Sequence, residues 1–223
     1  MPAPLPLSRL RALFGEGAIV VEAPVQSADE HLLLPEEQEH IRAAAAVRRA
    51  EFGTARVCAR RALSELGVAP APLVPRADRS PSWPAGIAGS ISHTRDRCAV
   101  VVARQSYARS LGLDIEAIRT LDEGIDETIL TSRELRVLRA RPPSRRDGLL
   151  MLFFSAKEAF YKCQYPVTGA FLDFRDVELD IEEDAGRFDA HALKPGLPDC
   201  VRHLGGRFAY EGGVVLCGIE LLA

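Results

Sequence analysis

Lysine is nearly missing from this chain. Of its 28 basic side chains only Lys157, Lys162 and Lys194 are lysine, and the other 25 are arginine. An excess of positive charge is missing too. The net charge is −3, which removes the global basic field expected of a nucleic-acid binder. Cysteine is sparse, five in number, odd, and without a Cys-x-x-Cys pair. A disulfide frame and a zinc site are therefore excluded, and buried thiols in a reducing compartment are expected. No apolar run reaches the length that spans a bilayer. The opening "MPAPLPLSRLRALFGEG" lacks the apolar core of a signal peptide, so a cytoplasmic protein is expected. There is no glycine-rich phosphate loop, no dinucleotide fingerprint and no serine nucleophile elbow. What remains is an ordinary globular composition, 47% apolar and 26% charged over 223 residues.

Against that background two lysines fall within the six residues "KEAFYK", 157–162. A site needing only positive charge would have drifted to arginine in such a chain. These positions call for a compact ammonium on a flexible stem.

The stretch "LGLDIEAI", 111–118, alternates Leu111, Leu113 and Ile115 with Gly112, Asp114 and Glu116. That is the period of a strand. One face packs inward, and the other carries two carboxylates roughly 6–7 Å apart. Such a pair is either a solvated strand face or half of a divalent-cation site.

A helix expected over 147–164, "DGLLMLFFSAKEAFYKCQ", has the core stripe Leu149, Leu152, Phe153, Ala156 and Phe160. Glu158 lies opposite that stripe, Lys162 about 40° further round, and Lys157 at the stripe's edge. Other faces hold Leu150, Met151, Phe154 and Tyr161, so the helix should be mostly buried, with its polar groups lining a cleft. A plain Glu158–Lys162 surface pair is the competing reading. "GSISHT", 89–94, ends a small-residue strand in Ser92 and His93, groups suited to phosphate or to a simple polar turn. An arginine-rich helix carries Arg42, Arg48, Arg49, Arg56, Arg60 and Arg61. Most of these read as a solvated face, and some could grip phosphate in bidentate fashion.

Taken together, Asp114, Glu116 and Glu158 offer oxygen ligands to a hard cation, with Mg²⁺ expected and Mn²⁺ as the alternative. The basic and hydroxyl groups would cradle phosphates. From the residues alone the reading is Mg²⁺-dependent chemistry on a polyphosphorylated substrate.

Along the chain, a short helix is expected near 8–14 and a strand near 18–23. A helix starts at Pro35 and runs to Gly67, where Gly53 marks either an interruption or a close approach. Loop follows over 69–89, then strands at "GSIS" and "CAVVVA" with "HTRDR" turning between them. Helices at 131–140 and 147–164 precede the strand-like "RDVELDI", "RFDAHAL", "GRFAYEG" and "VVLCGIEL", the last two joined around "EGG". Helix then antiparallel strands, twice, gives an α+β fold. Two similar halves are expected, 1–108 and 109–223, each a small antiparallel sheet packed with helices, in a pseudo-twofold relation.

In this order, "EFGTARVCARRAL", "WPAGIAGSISHT", "LGLDIEAI" and "FSAKEAFYK" resemble the 4′-phosphopantetheinyl transferases, in particular the type that activates enterobactin, polyketide and nonribosomal-peptide synthases. The resemblance covers roughly residues 35 to 175. It implies that coenzyme A binds between the halves and gives its phosphopantetheine arm to a serine of an apo acyl or peptidyl carrier protein, releasing adenosine 3′,5′-bisphosphate. Asp114 and Glu116 would hold Mg²⁺ against the pyrophosphate, with Glu158 as third ligand or base. Lys157 and Lys162 would bind the pyrophosphate and stabilise the leaving group. Arg48, Arg56, Ser92 and His93 would hold the nucleotide end, and Arg76 would stand in a coenzyme-binding loop. A monomer with neither nucleic-acid nor membrane partners is implied. A coenzyme A or carrier-binding module without activity, and another Mg²⁺-dependent phosphoryl or nucleotidyl transferase, are the alternatives.

Overall fold

A computed structural model describes residues 9–223. The chain folds into two compact units. One is Glu16–Leu111 with the last residues Leu222–Ala223. The other joins the described residues 9–15 to Gly112–Leu221.

In the 16–111 unit, strands β1 (Ala18–Pro24), β2 (Ile87–His93) and β3 (Arg97–Arg104) form an antiparallel sheet in the order β1-β3-β2. The run "CAVVVA" is wholly buried because it is the central strand. Helix α1 (Pro35–Ile41) starts at the expected proline. Helix α2 (Ala46–Glu65) lays Cys58, Ala59, Ala62 and Leu63 on Val100 and Val102.

The expected single helix from Pro35 to Gly67 is broken, but not at Gly53. The break falls at residues 42–45, in a run of good helix formers. Tertiary contacts override propensity there. Arg49 donates to the Ala44 carbonyl at 2.7 Å and to Glu30 at 2.9 Å, holding the corner, while Leu33, Ile41 and Phe52 cluster beneath it. Gly53 sits inside unbroken α2 at a close approach. A Cβ there would lie 2.8 Å from the Glu30 amide nitrogen and 2.9 Å from the Asp29 carbonyl carbon. Those residues belong to a 3₁₀ turn, Ser27–Leu32, that rides directly on the helix.

The 112–221 unit contains α3 (Ile125–Ile129), α4 (Ser132–Arg139) and α5 (Pro143–Thr168). Its sheet has the order β4-β8-β7-β6-β5, from β4 (Ala108–Ala117), β5 (Val177–Glu182), β6 (Arg187–Ala192), β7 (His203–Glu211) and β8 (Val214–Leu222). A short α6 (Asp199–Arg202) precedes β7. The predicted strands of this half are all present, and β7 and β8 meet at the two-residue turn Gly212–Gly213. The predicted stripe of α5 is buried in full, and Leu150, Met151, Ala159 and Cys163 join it, so α5 is the spine of this core.

Chain entry differs from expectation. A 3₁₀ turn at Arg11–Leu13 replaces the short helix expected near 8–14, whose first residue lies outside the described part. It packs with the 112–221 unit. Arg207 donates to the Ala12 carbonyl, and the Gly15 amide donates to Glu220. The molecule is thus α+β, with two antiparallel sheets, each packed with helices. Among the described residues no helix is long and apolar enough to cross a membrane.

Candidate functional site

Strand β4 was expected to alternate a buried face with a face carrying acids. Instead both faces are buried from Ser110 to Ile115. The cause is Gly112. A Cβ there would overlap the carbonyl oxygen of Ala159, so the backbones of β4 and α5 touch at this point. That contact brings Asp114, two residues on, against α5.

Asp114 is only 2% exposed. Its Oδ1 accepts from Lys162 Nζ at 2.6 Å, and the same ammonium donates to the Leu113 carbonyl at 3.2 Å. Glu116 and Glu158 are half-buried nearby and feel the same charges. Burial first, then the neighbouring Asp114, pushes the Glu116 carboxyl up to about 7, against the pull of Lys162. Glu158 is also pushed up, by burial and then by Asp114, again against Lys162. Three acids therefore lie near Lys162 in a partly dry setting, with Arg119 also acting on Glu116. Such a set is short of positive charge. Among the described residues no three such side chains are gathered as a ready-made metal cage. The donors themselves, hard carboxylate oxygens around a charge deficit, fit a hard divalent cation.

Lys157 is placed differently from its expected role at the pyrophosphate. It is 2% exposed, and its ammonium donates to Glu134 at 2.7 Å, to the Ile129 carbonyl at 2.9 Å and to the Phe174 carbonyl at 2.9 Å. All three of its donors are engaged. Adjacency to Glu158 in sequence puts Lys157 about 100° round the helix, on a face that points into the core.

In the 16–111 unit, Arg48 and His93 meet. Arg48 Nη1 lies 2.8 Å from His93 Nε2 and 3.2 Å from Glu51. A guanidinium only donates, so the imidazole accepts through Nε2 and keeps its proton on Nδ1, 3.8 Å from Glu51. Ser92 is buried beside His93 on β2. Arg56 is 5% exposed, donates through Nε to the Leu73 carbonyl at 2.6 Å and lies 4.0 Å over the Phe52 ring. Burial lowers its proton affinity to about 10. Arg76 is exposed in a loop whose arms pair at Pro75 and Pro81. The other arginines of α2 are less solvated than expected. Arg49 and Arg60 tie the helix to the preceding segment through Glu30 and Glu37, while Arg61 is exposed, and Arg42, just after α1, pairs with exposed Glu39.

Two buried acids escaped the sequence reading. Glu37 accepts from the Leu34 amide, the Leu73 amide and Arg60. Glu134 accepts from the Thr131 amide, the Leu179 amide and Lys157. Each is the third residue of a short helix, bonding back to the residue before it. Each pairs with a cation 23 positions later on the long helix. That equal spacing, with the capping pattern Thr131-Ser-Arg-Glu134, was the available signal.

Residues 36–103 match the 4′-phosphopantetheinyl transferase N-terminal domain, and residues 110–211 match the 4′-phosphopantetheinyl transferase superfamily. The chain is 39% identical to the 4′-phosphopantetheinyl transferase Svp of Streptomyces mobaraensis, over 96% of this chain and 89% of that protein. It is 37% identical to PptT of Mycobacterium tuberculosis, a 4′-phosphopantetheinyl transferase, over 84% and 86%. Enterobactin synthase component D of Salmonella typhi is 35% identical over 64% of this chain and 60% of its own length.

Proposed function

The chain belongs to the 4′-phosphopantetheinyl transferase superfamily and is an enzyme of that type, and on that premise we propose how its residues divide the work. It transfers phosphopantetheine to carrier proteins and is of the secondary-metabolism type. The donor in this reading is coenzyme A, and the acceptor is a serine of an apo acyl or peptidyl carrier protein. The observation that carries the reading is the group of three acids near Lys162 on β4 and α5.

Asp114, Glu116 and Glu158 would hold Mg²⁺, or Mn²⁺ in its place. When bound, the ion would offset the negative charge of the pyrophosphate during transfer. Glu158, whose proton affinity is raised, would accept the proton from the serine hydroxyl, directly or through water. The serine oxygen forms its bond to the β-phosphorus. The bond from that phosphorus to the bridging oxygen breaks, and adenosine 3′,5′-bisphosphate leaves. Lys162, bonded to Asp114, would stabilise the leaving phosphate. Arg48, Arg56, Arg76, Ser92 and His93 would hold the nucleotide end. One chain carries both sets of residues, so the working unit is a monomer. Five free cysteines suit a reducing cytoplasm.

The test mixes the protein with coenzyme A, Mg²⁺ and an apo carrier protein, and weighs the carrier by intact mass spectrometry. A gain of one phosphopantetheine arm is expected, lost with EDTA and lost by a factor of about 10² or more in Asp114→Asn. A protein that binds coenzyme A yet modifies none of several carriers would be a binding module. One that ignores coenzyme A but turns over a nucleoside triphosphate would be a different transferase.

A further inference from the structure

Lys157 is one of three lysines in the chain, yet it lies in the core. Three acceptors converge on its ammonium from three directions: the last carbonyl of α3, the capping carboxylate of α4, and the Phe174 carbonyl just before β5. Glu134 extends the join by accepting the Leu179 amide of β5. One positive charge therefore binds α5 to α3, α4 and the start of β5.

The opposite grip on α5 comes from Lys162, bonded to Asp114 and the Leu113 carbonyl of β4. The two lysines are five positions apart, which places them about 140° apart around the helix. A helix held on two such faces cannot rotate. Its rotation decides whether Glu158 and Lys162 face β4.

We propose that Lys157 is a positioning residue: its ammonium fixes the rotation of α5 so that Glu158 and Lys162 meet the acids of β4, and it does not touch coenzyme A. This rests on the functional reading above. It also explains why arginine did not take this position. Three converging acceptors match the three donors of an ammonium. A planar guanidinium is larger and carries five donors, leaving buried N–H groups without acceptors.

Labelling tests the inference without any variant. The folded protein is treated with an amine-acetylating reagent, with and without coenzyme A, and each lysine is read by mass spectrometry. Lys157 is expected to stay unmodified in both samples. Labelling of Lys157 that coenzyme A suppresses would overturn the inference.

Kinetics supply the second readout. Lys157→Met combined with Glu134→Gln removes both buried charges together. In this variant kcat is expected to fall about tenfold or more, with KM for coenzyme A within about twofold of wild type. Lys157→Arg should not rescue kcat, although an arginine serves well at a phosphate. A KM raised about tenfold at unchanged kcat would mean a coenzyme A contact, and wild-type values in both would mean no role in the reaction. Either result overturns the proposal, as does full rescue by arginine. If the unmodified protein neither binds coenzyme A nor turns over, the functional reading has failed instead, and the labelling of Lys157 still reports where its ammonium lies.

Discussion

Glu116 is held in a place where ionising is costly. Its carboxyl titrates near 7 because burial and Asp114 both oppose the charge. A carboxyl whose pKa is raised on folding stabilises the fold below its unfolded value, near 4.5, and loses that contribution as pH rises through 7. In EDTA, the melting temperature should therefore decline between pH 5 and 7.5 by about a few degrees, and Glu116→Gln should flatten the decline. Added Mg²⁺ should raise the melting temperature more at pH 7.5 than at pH 5. A profile unchanged by the substitution would remove Glu116 from the charged group. At this scale the sequence singled out candidate residues better than it showed their neighbours. The alternation of β4 and the rarity of lysine pointed to Asp114, Glu116 and Lys162. Neither could tell that Lys157 faces α4, because helix phase gives a direction and not what lies there.

Among the elements, α1 and α4 are built alike. Each carries a buried glutamate that bonds its own first turn, a distant backbone amide and a cation on the following long helix. They differ in what remains when the glutamate is lost. Glu134→Ala strands the sealed Lys157 ammonium, and breaking a buried pair in this way costs about 3–5 kcal/mol. Arg60 is 15% exposed, can turn toward water and also bonds the Leu32 carbonyl, so Glu37→Ala should cost about 1–3 kcal/mol. Thermal unfolding should place the Glu134 variant on the order of 10 °C below wild type and the Glu37 variant between the two. The reverse order would contradict the burial of Lys157. The strands and α5 were legible because their periods are clean. The corner at residues 42–45 was not, since its alanines favour helix and only Arg49 and the Leu33–Ile41–Phe52 cluster argue otherwise.

For the molecule as a whole, the proposed reading assigns the nucleotide end of coenzyme A to residues of the 16–111 unit. Arg48→Ala, in the 16–111 unit, should then weaken coenzyme A about tenfold and dephospho-coenzyme A much less, since only the former carries the 3′-phosphate. Isothermal titration of both ligands decides it, and equal losses would release Arg48 from that role. The α+β class and the repeated helix-then-strands order could be read in advance. The membership of Arg9–Gly15 could not, because nothing in "RLRALFG" says which sheet it will meet.

That membership has a consequence for gene architecture. The residues that hold the acids and α5 form a unit whose chain is interrupted by the whole of Glu16–Leu111. A gene cut before Gly112 would yield a fragment without Leu10, Leu13 and Phe14, all of them buried in the intact protein. It would also lack the backbone acceptor that Arg207 uses and the Gly15 amide that Glu220 accepts. The unit that holds β4 and α5 cannot travel as a single cassette. Recombination between relatives can exchange Glu16–Leu111 as an insert, but the other unit moves only as two separate stretches of DNA inherited together.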